Sequence, residues 1–271
     1  MIRKNPNADP VRKMGWTATR EAMLYYETCG AGTPLVLLHG NGQSHHVFDE
    51  MVPRLAKSYF LILPDSRAHG HSKSHRGKVR LFSVADMADD LAQLLDALDI
   101  ERVLLLGFSD GANVALTFAS RYPHRTLALA AVSGNALPAG LKPGFRVASK
   151  GLFFIAGRIK KILAPLSGWR KAYGYWRRLE QQLSLMVHSP ALTAEDLAQI
   201  TAPVLLMAGS RDVIRADHER WMQAQIPDAT LVIMEDATHG QFFQTPAHYL
   251  WIIQHFFENH DARNNNAAIK N

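Results

Sequence analysis

Six continuous apolar runs punctuate the chain, at residues 35–38, 60–63, 103–106, 127–132, 204–207 and 231–234. Runs of this length with no polar alternation fit strands buried on both faces, the habit of parallel sheets. Between them the period changes. Val84, Met87, Leu91, Leu94, Leu95 and Leu98 recur at helical spacing behind Ser83, an N-cap residue with Asp86 three positions on. Helical patterns also cover 47–56, 112–121, 217–225 and 246–257. Alternating strands and helices predict an α/β domain with a mostly parallel sheet, and segment 16–27, ahead of the first such unit, suits an antiparallel hairpin at the sheet edge.

The rhythm breaks after Asn135, where about 55 residues of helix-like sequence interrupted by Gly and Pro replace a single crossover. The expected organisation is a core domain of residues 1–134 and 194–271 with a helical cap inserted at 135–193. Thr193 and Asp196 then open a short capped helix, and residues 261–271, with three consecutive asparagines, read as a frayed tail. A chain of 271 residues with 47% hydrophobic content can bury such a core as one large domain.

Charge sharpens the picture of the insert. Residues 136–190 carry ten Lys and Arg against one acid, Glu180, leaving twenty basic against twenty-three acidic residues elsewhere. A mildly acidic body thus bears one strongly basic insert. The polar stretch 1–15 has no apolar core like that of a signal peptide, and no apolar run approaches the length of a membrane span. Cys29 is the only cysteine, which excludes an intrachain disulfide. These features predict a cytoplasmic protein.

The chemistry centres on Gly107-Phe108-Ser109-Asp110-Gly111, which lies between an apolar run and a helical pattern. A serine on a sharp strand-to-helix turn presents its hydroxyl clear of the backbone, and glycines on either side allow that turn. Serine needs a base to take its proton, and the base needs a carboxylate to orient it. Asp212 follows the run 204–207 and His239 follows the run 231–234, so both fall at strand ends in the order nucleophile, acid, histidine. Backbone N–H donors for an oxyanion are expected from Asp110 and, in the turn His39-Gly40-Asn41-Gly42, from Asn41.

On these pieces, together with Asp65-Ser66-Arg67-Ala68-His69-Gly70-His71-Ser72, Gly209-Ser210-Arg211-Asp212 and Thr238-His239-Gly240, the chain resembles the α/β-hydrolase fold superfamily, in its cap-bearing branch of small esterases and C–C bond hydrolases. The resemblance implies an eight-stranded sheet, a cap inserted after the sixth strand, and no cofactor. Ala68 and Ala112 stand where the pattern usually has glycine. Relatives that open epoxides or displace halide attack with aspartate at the elbow, where this chain has serine. Asn135 occupies the place where some relatives put their acid, and an amide cannot balance an imidazolium charge, which favours Asp212.

The expected function is therefore a serine hydrolase cleaving a small or medium carboxylic ester. The alternatives are C–C bond hydrolysis of β-diketone-like acids and, in a different class, a ligand receptor that retains the triad. No metal site is expected, because the pairs His45-His46 and His69-Gly70-His71 have no acidic or cysteine partners at ligand spacing. His39 and His69 are expected to fix loops through hydrogen bonds. The basic insert, interleaved with aromatics, suits an anionic small-molecule substrate, weak peripheral contact with an anionic membrane, or a solvated surface. No nucleic-acid recognition motif accompanies the charge.

Overall fold

In the computed structural model, which describes residues 10–74 and 81–268, the predicted runs become strands of one sheet. The strands are β1 (Lys13–Ala18), β2 (Ala22–Gly30), β3 (Thr33–Leu38), β4 (Tyr59–Pro64), β5 (Lys73–Ser74), β6 (Val103–Phe108), β7 (Thr126–Val132), β8 (Val204–Gly209) and β9 (Ala229–Met234). Their order across the sheet is β1-β2-β4-β3-β6-β7-β8-β9, and the two-residue β5 pairs with β2 off this eight-strand path. The β1–β2 pair is the antiparallel edge hairpin, β2 also runs antiparallel to β4, and every pairing from β4 through to β9 is parallel.

Nine helices accompany the sheet among the described residues: α1 (Val52–Leu55), α2 (Val84–Ala97), α3 (Asp110–Arg121), α4 (Pro143–Leu163), α5 (Arg170–His188), α6 (Ala194–Ala198), α7 (Ala216–Gln225), α8 (Gln241–Gln244) and α9 (Pro246–Ala268). Successive strand residues point to opposite faces, so the apolar runs feed two cores at once. Val36, Leu38, Val103 and Leu105 join α2, α3, α6 and α7 on one face. Leu35, Leu37, Leu104 and Leu106 join α1, α8 and α9 on the other. Each fully buried Leu or Val contributes about 1.5–3 kcal/mol, which is why uninterrupted apolar runs mark the central strands.

Ser83 caps α2 as its spacing predicts. Its Oγ accepts from the Asp86 N–H at 3.2 Å while the Ser83 N–H donates to Asp86 Oδ2 at 2.7 Å. Thr193 and Asp196 repeat the device on α6. Two expectations fail. Residues 47–56 form a 3-10 turn, His45–Phe48, and the single turn α1, because Pro53 has no N–H to donate back to the preceding turn. Residues 261–268 continue α9 rather than fray, since propagating a helix adds a backbone bond per residue without a new nucleus. The ends of the chain, 1–9 and 269–271, lie outside the described residues.

Helices α4 and α5 stand between β7 and β8 in the chain and pack against each other. Helix α5 buries Glu180, Gln181, Leu183, Ser184 and Leu185 beneath it, whereas α4 buries only Ser149 and Ala156. Gln182 fastens α5 to the core: its carbonyl accepts from Asn41 Nδ2 at 2.7 Å and its own Nε2 donates to the Ala68 carbonyl at 3.2 Å. No helix among the described residues is long and apolar enough to cross a membrane.

Candidate active site

Ser109 sits at the junction of β6 and α3 with φ 53° and ψ −121°, a backbone conformation that L residues rarely adopt. Close packing makes the conformation accessible. A Cβ on Gly111 would lie 2.0 Å from the Leu38 carbonyl oxygen, and one on Gly107 would lie 2.3 Å from the Gly111 carbonyl oxygen. Only glycine at both places lets α3 start against β3 and β6. The Ser109 N–H donates to the Val132 carbonyl at 2.8 Å, and the Asn113 N–H donates to the Ser109 carbonyl at 3.0 Å, so both sides of the turn are held.

The two strand-end residues converge on this serine. His239 Nε2 lies 3.0 Å from Ser109 Oγ, and His239 Nδ1 lies 2.7 Å from Asp212 Oδ1. An ionised carboxylate only accepts, so Nδ1 carries the proton and Nε2 is left to accept from the serine hydroxyl. Asp212 is fully buried in the loop after β8. Burial pushes its pKa up, but the hydrogen bond and charge of His239, with the Ser133 hydroxyl and the Ile214 N–H, outweigh this and hold it below the ordinary carboxylate value.

Asn41 and Asp110 line the same cavity as Ser109 and His239, a space of about 360 Å³ that opens partly to solvent. The Gly40 N–H is already donated to Gln43 Oε1 at 2.9 Å, which leaves the next amide of that loop, Asn41, as the donor nearest in sequence. The Asp110 carboxylate turns toward Asn41 Nδ2 at 2.7 Å and Asn113 Nδ2 at 3.1 Å. Burial raises its pKa, and those two amides partly offset the rise. Asn135 also lines the cavity but bonds to Asn113 and the Leu137 carbonyl, not to His239. A larger depression of about 1080 Å³ lies beside Arg67, Asp90 and Arg125, and no serine, cysteine or histidine is among the described residues that line it.

Comparison with known proteins agrees with the fold. The family model described as the alpha/beta hydrolase fold matches residues 33–160. The chain has the α/β-hydrolase fold. It is 27% identical over 269 residues to an uncharacterized protein of Mycobacterium tuberculosis, covering 86% of this chain and 77% of that one. It is 29% identical over 244 residues to the pimeloyl-acyl-carrier protein methyl ester esterase of Neisseria meningitidis serogroup B, covering 82% of this chain and 92% of the relative. The naproxen esterase of Bacillus subtilis superposes with a TM-score of 0.71 at 20% identity, covering 92% of each chain, a likeness of fold.

The site also holds residues that sequence reasoning passed over. Ser133, directly after β7, donates its hydroxyl to Asp212 Oδ2 at 2.6 Å. A polar residue at the carboxyl end of a central strand was the available signal. Gln43 and Gln182 had none, because their partners are distant in sequence. Glu219 of α7 is buried, its Oε1 has no hydrogen-bond partner among the described residues, and burial followed by the charge of Asp212 pushes its pKa well above the ordinary value.

The histidines divide. His39 Nδ1 donates to the Gly40 carbonyl and its Nε2 accepts from the Ser66 N–H, while His69 Nδ1 donates to the Arg67 carbonyl, so both brace loops. Contrary to the spacing argument, His45 and His71 do have an acidic neighbour: Asp65 brings ligand-type atoms of the three within 4.8 Å. The tertiary fold, rather than ligand spacing, supplies it. Asp65 accepts the backbone N–H groups of His45 at 2.8 Å and His71 at 2.7 Å, with His45 Nδ1 at 2.8 Å. The carboxylate thereby ties the loop after β4 to the turn after β3.

Proposed function

We propose that this α/β hydrolase is a serine esterase acting through an acyl-enzyme, with Ser109 as nucleophile, His239 as base and Asp212 as its orienting acid. The observation that carries the reading is the relay of 3.0 Å from Ser109 Oγ to His239 Nε2 and 2.7 Å from Nδ1 to Asp212. Ser109 Oγ attacks the ester carbonyl as its proton passes to His239 Nε2, and the carbonyl oxygen becomes an oxyanion held by the Asn41 and Asp110 N–H groups. The C–O bond then breaks and the alcohol leaves with the proton from His239. Water, deprotonated by His239, attacks the acyl-enzyme and releases the acid. No cofactor enters these steps. A cytoplasmic setting, resting on the lone and buried Cys29, completes the proposal.

The lining narrows the substrate. Leu141, Phe145, Met186, Val213 and Ile214 supply apolar wall, and no Lys or Arg is among the described residues that line it. A β-diketone-like acid would bring a carboxylate with no cation to meet it, so a neutral ester of small or medium acyl size fits better than C–C bond cleavage, and better than an anionic substrate. Turnover separates an enzyme from a receptor of the same fold. Ser109→Ala, His239→Ala and Asp212→Asn are each expected to lower kcat on p-nitrophenyl esters by about 10³-fold or more, with unchanged circular dichroism. A fluorophosphonate should label Ser109 by mass spectrometry. Undiminished turnover by the Ser109→Ala protein would end this reading, and slow modification without turnover would favour the receptor.

A further inference from the structure

The cap carries an uncovered face of unusual composition. Nine of the thirteen exposed large hydrophobic side chains among the described residues lie between Phe145 and Tyr175. Phe154, Ile162 and Trp169 are 62%, 67% and 59% exposed. On a helical wheel of α4 the buried Ser149 and Ala156 mark the inner side. The opposite side, at 100° per residue, gathers Val147, Phe154 and Ile162 with Lys150, Arg158 and Lys161. Apolar and basic residues thus share one convex stripe, and Arg158 lies over the Phe154 ring at 5.0 Å. Helix α4 contains no acid, and Glu180, the only one in the insert, is paired with Lys160.

A protein that leaves this much apolar surface in water usually has something to place against it. We propose that the outer face of α4 and the turn into α5 dock on an anionic lipid bilayer, with Phe154, Ile162 and Trp169 entering the acyl boundary and the lysines and arginines meeting the headgroups. Charge complementarity selects that occupant: the insert holds ten cations against one acid, while the rest of the chain is slightly acidic. A second copy would set this basic stripe against itself or against the weakly acidic body. The interspersed order, with a basic residue within one turn of each apolar one, suits the layered chemistry of a membrane interface. Docking does not depend on the Ser109 chemistry. Phe145, at the start of α4, also lines the candidate site, so the docked face and the site share a helix.

The test is sedimentation of the full chain, carrying Ser109→Ala to prevent lipid turnover, with phosphatidylglycerol–phosphatidylcholine vesicles and with pure phosphatidylcholine vesicles. Binding is expected on the anionic vesicles at 50 mM salt and should fall by roughly tenfold or more at 500 mM, since each basic residue at the surface is worth about fivefold in partition. Phe154→Ser with Ile162→Ser, and separately Lys150→Glu with Arg158→Glu and Lys161→Glu, should each weaken binding at least tenfold while leaving thermal unfolding unchanged. No binding at low salt would overturn the proposal, as would binding that neither set of substitutions weakens. Sedimentation velocity and a polyglutamate competitor complete it. A dimer dissociated by Phe154→Ser without vesicle binding would assign the face to a second copy, and polyglutamate binding without vesicle binding would assign it to an acidic protein.

Discussion

Glu219 is the residue whose cost is most plainly electrostatic. It is buried, and burial followed by the charge of Asp212 raises its pKa well above the ordinary value, so the folded protein favours its neutral form more than the unfolded chain does. An acid whose folded pKa is raised binds more protons folded than unfolded at pH values above its ordinary value near 4.5. Stability therefore falls as pH rises from there toward the raised value. Glu219→Gln, a shape-matched neutral side chain, should be about as stable as wild type at pH 4.5 and progressively more stable above it. Urea unfolding from pH 4.5 to 9 checks this; parallel curves would show that Glu219 ionises without cost. Gly111 is constrained by space instead. Gly111→Ala drives a Cβ against the Leu38 carbonyl, and we expect a loss of about 3 kcal/mol or more together with loss of esterase turnover, read from urea midpoints and initial rates. Ala68 shows that a positive φ alone is tolerable: at φ 61° its strain of about 1–2 kcal/mol is roughly offset by the methyl it buries and the chain entropy glycine would lose.

The strands and the long helices follow from local pattern, because a central parallel strand needs apolar side chains on both faces and a packed helix needs one apolar stripe. The six runs and the capped pattern after Ser83 carry that requirement openly. Ser83→Ala should therefore cost α2 about 1 kcal/mol, seen as a lower urea midpoint with an unchanged m-value, and no shift would mean the cap contributes nothing in this context. Element boundaries were less legible where one residue type overrides a pattern, as Pro53 does in splitting 47–56. The α9 continuation to Ala268 escaped notice for the opposite reason, since asparagine weakens a helix without stopping one.

At the scale of the molecule, the charge is segregated rather than spread, with the insert strongly basic and the body slightly acidic. Because no Lys or Arg is among the described residues that line the candidate site, a neutral ester should meet mainly dipoles there. We expect kcat/KM for a neutral p-nitrophenyl ester to change by less than about twofold between 50 and 500 mM salt. An anionic ester of equal size is expected to lose more, through screening of the outer cations alone. A steep salt dependence for the neutral ester would mean that α4 and α5 move with ionic strength and gate the site.

The chain by itself determined the alternation of strand and helix, the elbow around Ser109, and the candidacy of Asp212 and His239, because each is written in contiguous residues with a local physical reason. Only the tertiary structure decided that His239 stands within hydrogen-bond reach of both partners, 130 and 27 residues away in the chain. It also decided that Ser133 bonds Asp212, that Asp65 gathers two histidines, and which residues of α4 and α5 wall the cavity. Those relations depend on how strand ends are brought side by side across the sheet, and no pattern within one segment encodes the distance between two others.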